Sequence, residues 1–361
     1  MSHANREALL RLSMLLRPAL STQSFIPALS HIHFGAGSAT AYNNVTAVEV
    51  KAKFDGLEDC CIPGELFIKV LGSFKSEDVQ IDFLDKGSIL LTAGRSKIKV
   101  PFLESSAFPY KRPTQKPNVV EFNHQILEGI RRCLFAVGSD PTHPAHMGVT
   151  LDTLDGKAVL YSTDNFTLSR YLTDFKIKLP ADSPIILPTF FCEQLLALAK
   201  NWPDEDVDLE VYPGAIQATF GSKAKLLTKT LVDLEPLDFG KIISKYLADA
   251  DVRKLLHTIP DTFDAAWNRA LLILSGEADK ATKVTSIKEG FAMFSKSQVG
   301  EAEDRLEFEG KVPDVRREFF VDPTLVVRAA KTCGKLAFFP RVIVLATDDT
   351  SFLHLIAHCA G

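Results

Sequence analysis

Between Ile62 and Pro109 the chain reads IPGELFIKVLGSF (62–74), VQIDF (79–83), SILLT (88–92), GRSK (94–97) and, last, AFP (107–109). The first tract predicts a helix behind Pro63, where the missing N–H of a proline costs nothing. The next two alternate as strands do, and Gly94 punctuates the turn after them. The same order returns at Leu187 as LPTFFCEQLLALAKNW, VDLEV (207–211), AIQATF (215–220) and GSK (221–223). Pro63 to Gly94 is 31 residues and Pro188 to Gly221 is 33. A third copy opens with VDPTLVVRAAKTCGK from Val321 and closes the chain with Val342–Ala346 and Phe352–Ile356.

Each copy is preceded by another helical pattern. These are REALLRLSMLLR (6–17), HQILEGIRRCLFAV (124–137) and DAAWNRALLILS (264–275). Leu9, Leu12 and Leu16 share one face of the first, and Ile126, Ile130, Leu134 and Val137 share one face of the second. Strand-like tracts follow at Ala47–Phe54 and Ala158–Ser162. The chain therefore reads as three copies of one unit of about 115–130 residues, each with two helices and about eight short strands. The fold class is α+β, with domains at 1–116, 117–248 and 249–361. The first boundary is the proline-bearing stretch Pro113–Pro117, and the second lies in the polar stretch Tyr246–Val252.

The 361 residues carry 41 Lys+Arg against 45 Asp+Glu, a net charge of −4, with 46% hydrophobic and 24% charged residues. That composition excludes wholesale disorder, and no run of about 18 apolar residues predicts a membrane helix. The acidic balance argues against a uniformly basic nucleic-acid coat. Cys60, Cys61, Cys133, Cys192, Cys333 and Cys359 form no CxxC pair, which predicts reduced, buried thiols in a cytoplasmic protein. The Arg6–Arg17 stretch has the amphipathicity of an organellar presequence. Glu7 in its first turn and the lack of a cleavage site instead predict the first helix of a folded domain.

Charge placement is more informative than the sum. The predicted helical segments 6–17, 63–74, 123–137, 188–203, 264–275 and 322–335 carry eleven cations: Arg6, Arg11, Arg17, Lys69, Arg131, Arg132, Lys200, Arg269, Arg328, Lys331 and Lys335. Six anions accompany them, so the helices hold a surplus of +5 and the remainder of the chain −9. Glu7, Glu65, Asp264 and Asp322 sit in first turns or at caps, where the helix dipole favours anions. Taken alone, this is ordinary helix-end complementarity.

The residues quoted above carry a resemblance. Pro63, Gly94-Arg95-Ser96-Lys97 and Ala107-Phe108-Pro109 stand where the bacterial sliding clamp family, the beta subunit of DNA polymerase III, has a proline-led helix, a GRS(K/R) turn and a DFP turn. Gly148 followed by Ser162-Thr163-Asp164-Asn165-Phe166-Thr167-Leu168 is similar to that family's NG…ATDGHRL segment, without its glycine, histidine and arginine. Leu231-Val232-Asp233 with Leu237-Asp238-Phe239 resembles LVDGxFPDY. FDAAWNRALLIL, Arg317–Ala329 and the last strand resemble its third domain. The family's C-terminal MP-x-R/K-L is replaced by Leu355-Ile356-Ala357-His358-Cys359. The resemblance spans the chain in order and fits a divergent member, bacterial or phage-encoded.

The resemblance implies a DNA-clamp fold: three repeated domains, each with two helices packed on antiparallel sheets, in a head-to-tail dimer forming a six-domain ring. The strand Lys97–Leu103 would pair with a third-domain edge of the partner copy. The eleven helix cations would line the central channel and contact phosphates of double-stranded DNA without reading sequence. A hydrophobic pocket would accept short peptides of DNA polymerase and clamp loader. By position its lining would be His146, Thr163, Asn165, Phe166, Thr167, Leu168, Leu237, Ile242, Val342, Val344, Leu353, Leu355, Ile356 and Ala357. The loops at Gln23 and Pro144–Ala145 lack the Arg or Tyr that such clamps often carry for DNA contact. The implied location is cytoplasmic and nucleoid-associated, or the host cytoplasm for a phage protein, with no membrane partner.

A clamp needs no chemistry, and no HExxH, GxSxG or GxxxxGK[ST] motif occurs, so no catalytic residue, metal or cofactor is expected. Gly35-Ala36-Gly37 lacks the third glycine of a dinucleotide loop and predicts a hairpin turn. His31 with His33, and His143 with His146, lack the further partners of a metal site. Asp164 reads as a turn residue rather than a general base. Two other readings stay open: a clamp-like partner-binding protein that does not encircle DNA, and an α+β enzyme with an unrecognised site.

Overall fold

The computed structural model describes residues 2–359 apart from 24, 55–56, 58, 85–86, 231–233, 248–251, 289 and 309–317. Leu231-Val232-Asp233, Arg317 and the boundary expected at 248/249 lie outside the described residues. Seven α-helices occur among those described: α1 (Arg6–Leu16), α2 (Gly64–Ser73), α3 (His124–Cys133), α4 (Thr189–Ala199), α5 (Phe239–Leu247), α6 (Phe263–Ile273) and α7 (Pro323–Ala330). The chain divides into two compact units, one combining Met1–Asn123 with Phe190–Asp233, the other His124–Thr189 with Leu234–Gly361.

In the first unit α1 begins at Asn5, whose side chain accepts a hydrogen bond from the Ala8 N–H at 2.9 Å. Leu9, Leu12 and Leu16 are buried as their spacing predicts, each worth roughly 1.5–3 kcal/mol relative to exposure. The helix packs against α2. Leu20 fills the space a Cβ would need at Gly64, so the glycine lets the α2 start approach closely. Pro63 ends the strand Cys60–Pro63 and precedes α2 instead of lying in its first turn.

This unit has two antiparallel sheets. The smaller runs Ser2–Asn5, Asp78–Leu84, Ser88–Ala93, Ser96–Pro101. The larger has nine strands, and at its middle Ala224–Lys229 pairs with Thr46–Lys51 in the register Thr228↔Thr46. At that seam the buried hydroxyls of Thr46 and Thr228 are 3.0 Å apart. Asn118–Phe122 lies at one edge, paired with Val207–Tyr212. Ala36 and Gly37 form the hairpin turn between His31–Gly35 and Ser38–Tyr42, both with positive φ. His33 stacks on Phe108 at 4.9 Å.

The second unit is built around an eight-stranded antiparallel sheet in the order Ile185–Pro188, Gly148–Leu154, Lys157–Thr163, Thr167–Lys176, Phe352–Ala357, Val342–Ala346, Lys335–Phe338, His257–Thr258. One face carries α3, whose Gly129 sits where a Cβ would meet Leu160 and Tyr171. A four-stranded sheet, Gly300–Glu307, Gly290–Ser297, Thr282–Ile287, Glu318–Val321, closes over α6 and α7. Trp267, Phe263, Phe291 and Val326 form the core there. Asp322 caps α7, accepting from Thr324 N–H at 2.7 Å, with Pro323 as first helical residue.

Two expectations are corrected. The segment 322–335 is helical only to Ala330. Thr332 and Cys333 close tight turns onto Ala329 and Ala330, and Gly334 N–H turns to Ala346 O at 3.1 Å, so Lys335 opens a strand. The middle stretch also holds an unexpected helix, α5. The six cysteines are free thiols, with Cys60, Cys61, Cys133 and Cys192 buried.

Candidate functional site

The sheet of the second unit and α5 together enclose an apolar hollow of about 250 Å³. Its floor is Leu168, Val342 and Leu355, all buried, from three adjacent strands. Leu237, Ile242, Lys245 and Tyr246 form the wall, and His146, Thr163, Asn165, Phe166, Thr167 and Ala357 complete the lining. Eleven of the fourteen expected residues meet there. Lys245 and Tyr246 were missed with their helix, although Ile242, Ile243, Tyr246 and Leu247 recur at helical spacing and Asp238 caps Lys241 N–H at 2.9 Å.

The other three expected residues do not reach the hollow. Val344 and Leu353 face the same side of the sheet but are covered, in one cluster with Leu247 and Phe239. Ile356 lies on the opposite face, in the core with Trp267 and Phe291. Side chains alternate along a strand, so Leu355 and Ile356 cannot both face one hollow.

The turn at the rim explains a sequence departure. Asn165 has φ of 74°, a conformation that glycine adopts freely and asparagine tolerates. Asp164 accepts from Phe166 N–H at 3.0 Å and Thr167 N–H at 2.6 Å, and Thr163 Oγ donates to Thr167 O at 2.6 Å. Asp164 is thus a turn-forming carboxylate. Phe166 is 65% exposed at the rim. Burial lowers the His146 pKa and the neighbouring ring of His143, 5.3 Å away, adds to this, while Asp164 and Asp140 act in the opposite sense; Lys245 brings a cation to the lining. A largely apolar, aromatic-rimmed cup suits an apolar side chain.

The helix cations fall into two groups. Arg17 pairs with Glu65 at 2.7 Å, Arg131 and Arg132 share Glu128 at 2.6 Å, and Arg269 grips Asp304. Lys335, on its strand, donates to Thr258 at 2.8 Å. Lys69, Lys200, Arg328 and Lys331 are exposed and have no acidic partner among the described residues. Arg328 lies over the Phe135 ring at 5.4 Å. Arg11 donates to Asn201 Oδ1 at 2.8 Å, and Arg6 Nε is buried without a hydrogen bond. In the first unit, α1, α2 and the end of α4 thus bear exposed positive charge.

Two sheet edges that are unpaired among the described residues are oppositely charged. Ser96–Pro101, with the preceding Arg95, carries Arg95, Lys97 and Lys99 and no acid, and all three are exposed. Gly300–Glu307 carries Glu301, Glu303, Asp304 and Glu307 against Arg305. Each is the last strand of its four-stranded sheet. Leu272, 72% exposed, projects from α6, which packs beside the acidic edge. The strand expected at Lys97–Leu103 ends at Pro101, and Leu103–Glu104 joins the other sheet of that unit.

No protein-family model matches the sequence. The chain is 20% identical to the beta sliding clamp of Lactococcus lactis over 383 aligned positions, covering 98% of this chain and 97% of that protein. Among solved structures it is similar to the beta subunit of DNA polymerase from Streptococcus pyogenes, with a TM-score of 0.83 at 19% identity over 99% of both chains. It is also similar to a Pseudomonas aeruginosa sliding clamp bound to griselimycin, with a TM-score of 0.85 at 16% identity over 100% of this chain and 99% of that one. The chain has the fold of the DNA polymerase III beta subunit and is similar over nearly its whole length to a bacterial beta sliding clamp.

Proposed function

We propose that this protein is a DNA sliding clamp, a non-enzymatic processivity factor that encircles duplex DNA and tethers DNA polymerase and clamp loader through short hydrophobic peptides. The observation that carries the reading is the apolar hollow: a largely apolar cup lies within a whole-chain clamp fold although its rim sequence has diverged. The three-domain division at 116/117 and 248/249 belongs to this reading. So do a cytoplasmic, nucleoid-associated location and a homodimeric ring.

The opposite charges of the two free edges support a heterologous, head-to-tail dimer, in which the basic edge of one copy adds to the acidic edge of the next. The helix cations would position phosphates without sequence preference, and enclosure rather than affinity would hold the protein on DNA. The decisive experiment is retention on nicked circular DNA, lost when the circle is linearised. Salt-resistant retention on open-ended linear DNA would contradict enclosure. A second reading, a partner-binding protein that does not encircle DNA, draws on the carboxylates that already occupy Arg17, Arg131, Arg132 and Arg269. Light scattering separates the two readings, since a stable monomer undercuts the ring.

A further inference from the structure

Beside the apolar hollow, in the same unit, is a second one of about 370 Å³. Ile242 and Tyr246 of α5 border the first, whereas Ile243 and Leu247 border the second, so the two hollows flank the helix. Along the strand Thr167–Lys176, Leu168 belongs to the first and Arg170 and Leu172 to the second, at two-residue spacing on one sheet face.

Arg170 is out of keeping with its surroundings. Its Nε is shielded from solvent and has no hydrogen-bond partner among the described residues. Burial, the first cause, lowers its pKa, and the like charge of Arg253 across the hollow lowers it further; the Tyr161 hydroxyl acts in the opposite sense. Arg253 donates through Nε to Thr350 Oγ at 3.0 Å. Two carboxylates near the hollow are engaged elsewhere: Asp174 with Lys157 at 2.8 Å, and Asp349 with Thr347 and Ser351 in its own turn. Among the described residues Arg170 has no ion pair, and a partly shielded guanidinium in that state is stabilised by an incoming anion.

We propose that this second hollow is a peptide-binding site that takes an acidic side chain flanked by an apolar residue. The guanidiniums of Arg170 and Arg253 would hold the carboxylate, for which their planar donor fork is suited. Leu172, Ile243 and Leu353 would receive the apolar neighbour. The site requires neither enclosure of DNA nor occupation of the first hollow.

The test uses the full chain and two fluorescein-labelled peptides, Gly-Leu-Glu-Leu-Gly and its glutamine counterpart, followed by anisotropy. The glutamate peptide should bind at least about tenfold more tightly, the increment of one charge-assisted contact. Arg170→Met should abolish that preference while leaving the thermal midpoint no lower, because a lone shielded charge is removed from an apolar setting. Arg253→Gln, at the hollow's edge, should reduce it. Equal binding of the two peptides, or an undiminished preference in Arg170→Met, would overturn the proposal. So would a preference that emerges only with Asp249→Asn and Asp251→Asn, which would assign the hollow to the chain's own acidic segment.

Discussion

Reversing the basic sheet edge should dismantle the dimer, and restoring complementarity should rebuild it. Lys97→Glu with Lys99→Glu turns the edge around Arg95 from +3 to −1, facing an edge of −3 across the proposed interface. Neither lysine has an ion pair among the described residues, so the change removes no internal contact. An exposed ion pair is worth about 0.2–1 kcal/mol. Losing two attractions and gaining two repulsions of similar size costs about 1–4 kcal/mol per interface. A two-fold ring has two interfaces, so dimerisation should weaken by about 2–8 kcal/mol, one to six decades in Kd. Sedimentation velocity over a concentration series reads this directly. The loss should be large at about 0.05 M salt and shrink toward 1 M, where the screening length falls to about 3 Å. Adding Glu303→Lys and Glu307→Lys, also exposed and unpaired among the described residues, should restore the dimer. An unchanged Kd in the lysine variant, or no rescue by the swap, would refute the edge-to-edge argument.

Further outcomes follow from the same geometry. Glu128→Gln releases Arg131 and Arg132 from their shared carboxylate and should steepen the salt dependence of DNA binding by up to about 0.9 per freed charge; an unaltered slope would remove these arginines from the phosphate contacts. Leu355→Ala should abolish polymerase-peptide binding, whereas Ile356→Ala should lower the thermal midpoint through a cavity costing about 2–5 kcal/mol and still bind peptide when folded; the reverse pattern in a titration would sink the assignment of the hollow. His354 is fully buried, and that burial pushes its pKa down to about 3, with Arg328 adding a smaller push. It is neutral when folded and protonates near pH 6.5 when unfolded, so its contribution is complete above pH 6.5 and is lost as pH falls toward 3. Denaturant melts should show roughly 2 kcal/mol lost between pH 7 and pH 5 from this group, with a flatter profile in His354→Phe; identical slopes would refute it.

Much of the fold was legible because its signals are short-range. The leucine face of α1, the alternating tracts 207–211 and 215–220, and the glycine turns at Gly94 and Gly221 each depend on residues a few positions apart. The last two carry positive φ, which is why glycine stands there. Signals that need a partner were lost. The helix of 322–335 stops at Ala330 because Gly334 finds Ala346 on a neighbouring strand, and nothing local announces that pairing. For α5, an unfamiliar start after Pro236 and a glycine at position 240 concealed a clear four-residue repeat. The hollow was largely recoverable from resemblance, but Ile356 fails on a physical rule available beforehand, the two-residue period of a strand. The shielded Nε of Arg170 was invisible, since the loss of its solvent is a property of the folded surroundings.

The seam between Ala224–Lys229 and Thr46–Lys51 bears on how the molecule would come apart. The chain passes from one compact unit to the other three times, near 123, 189 and 233. A protease cutting once at the first passage would leave two fragments, yet the later one carries 190–233, whose strands remain zipped to Thr46–Lys51 and Asn118–Phe122 of the earlier one. Such a nicked protein should travel as a single species on a sizing column and separate only in denaturant. Neither unit is a bead on a string: each is closed by a stretch of chain borrowed from beyond its neighbour, and excising either at a sequence boundary would strip a strand from its sheet.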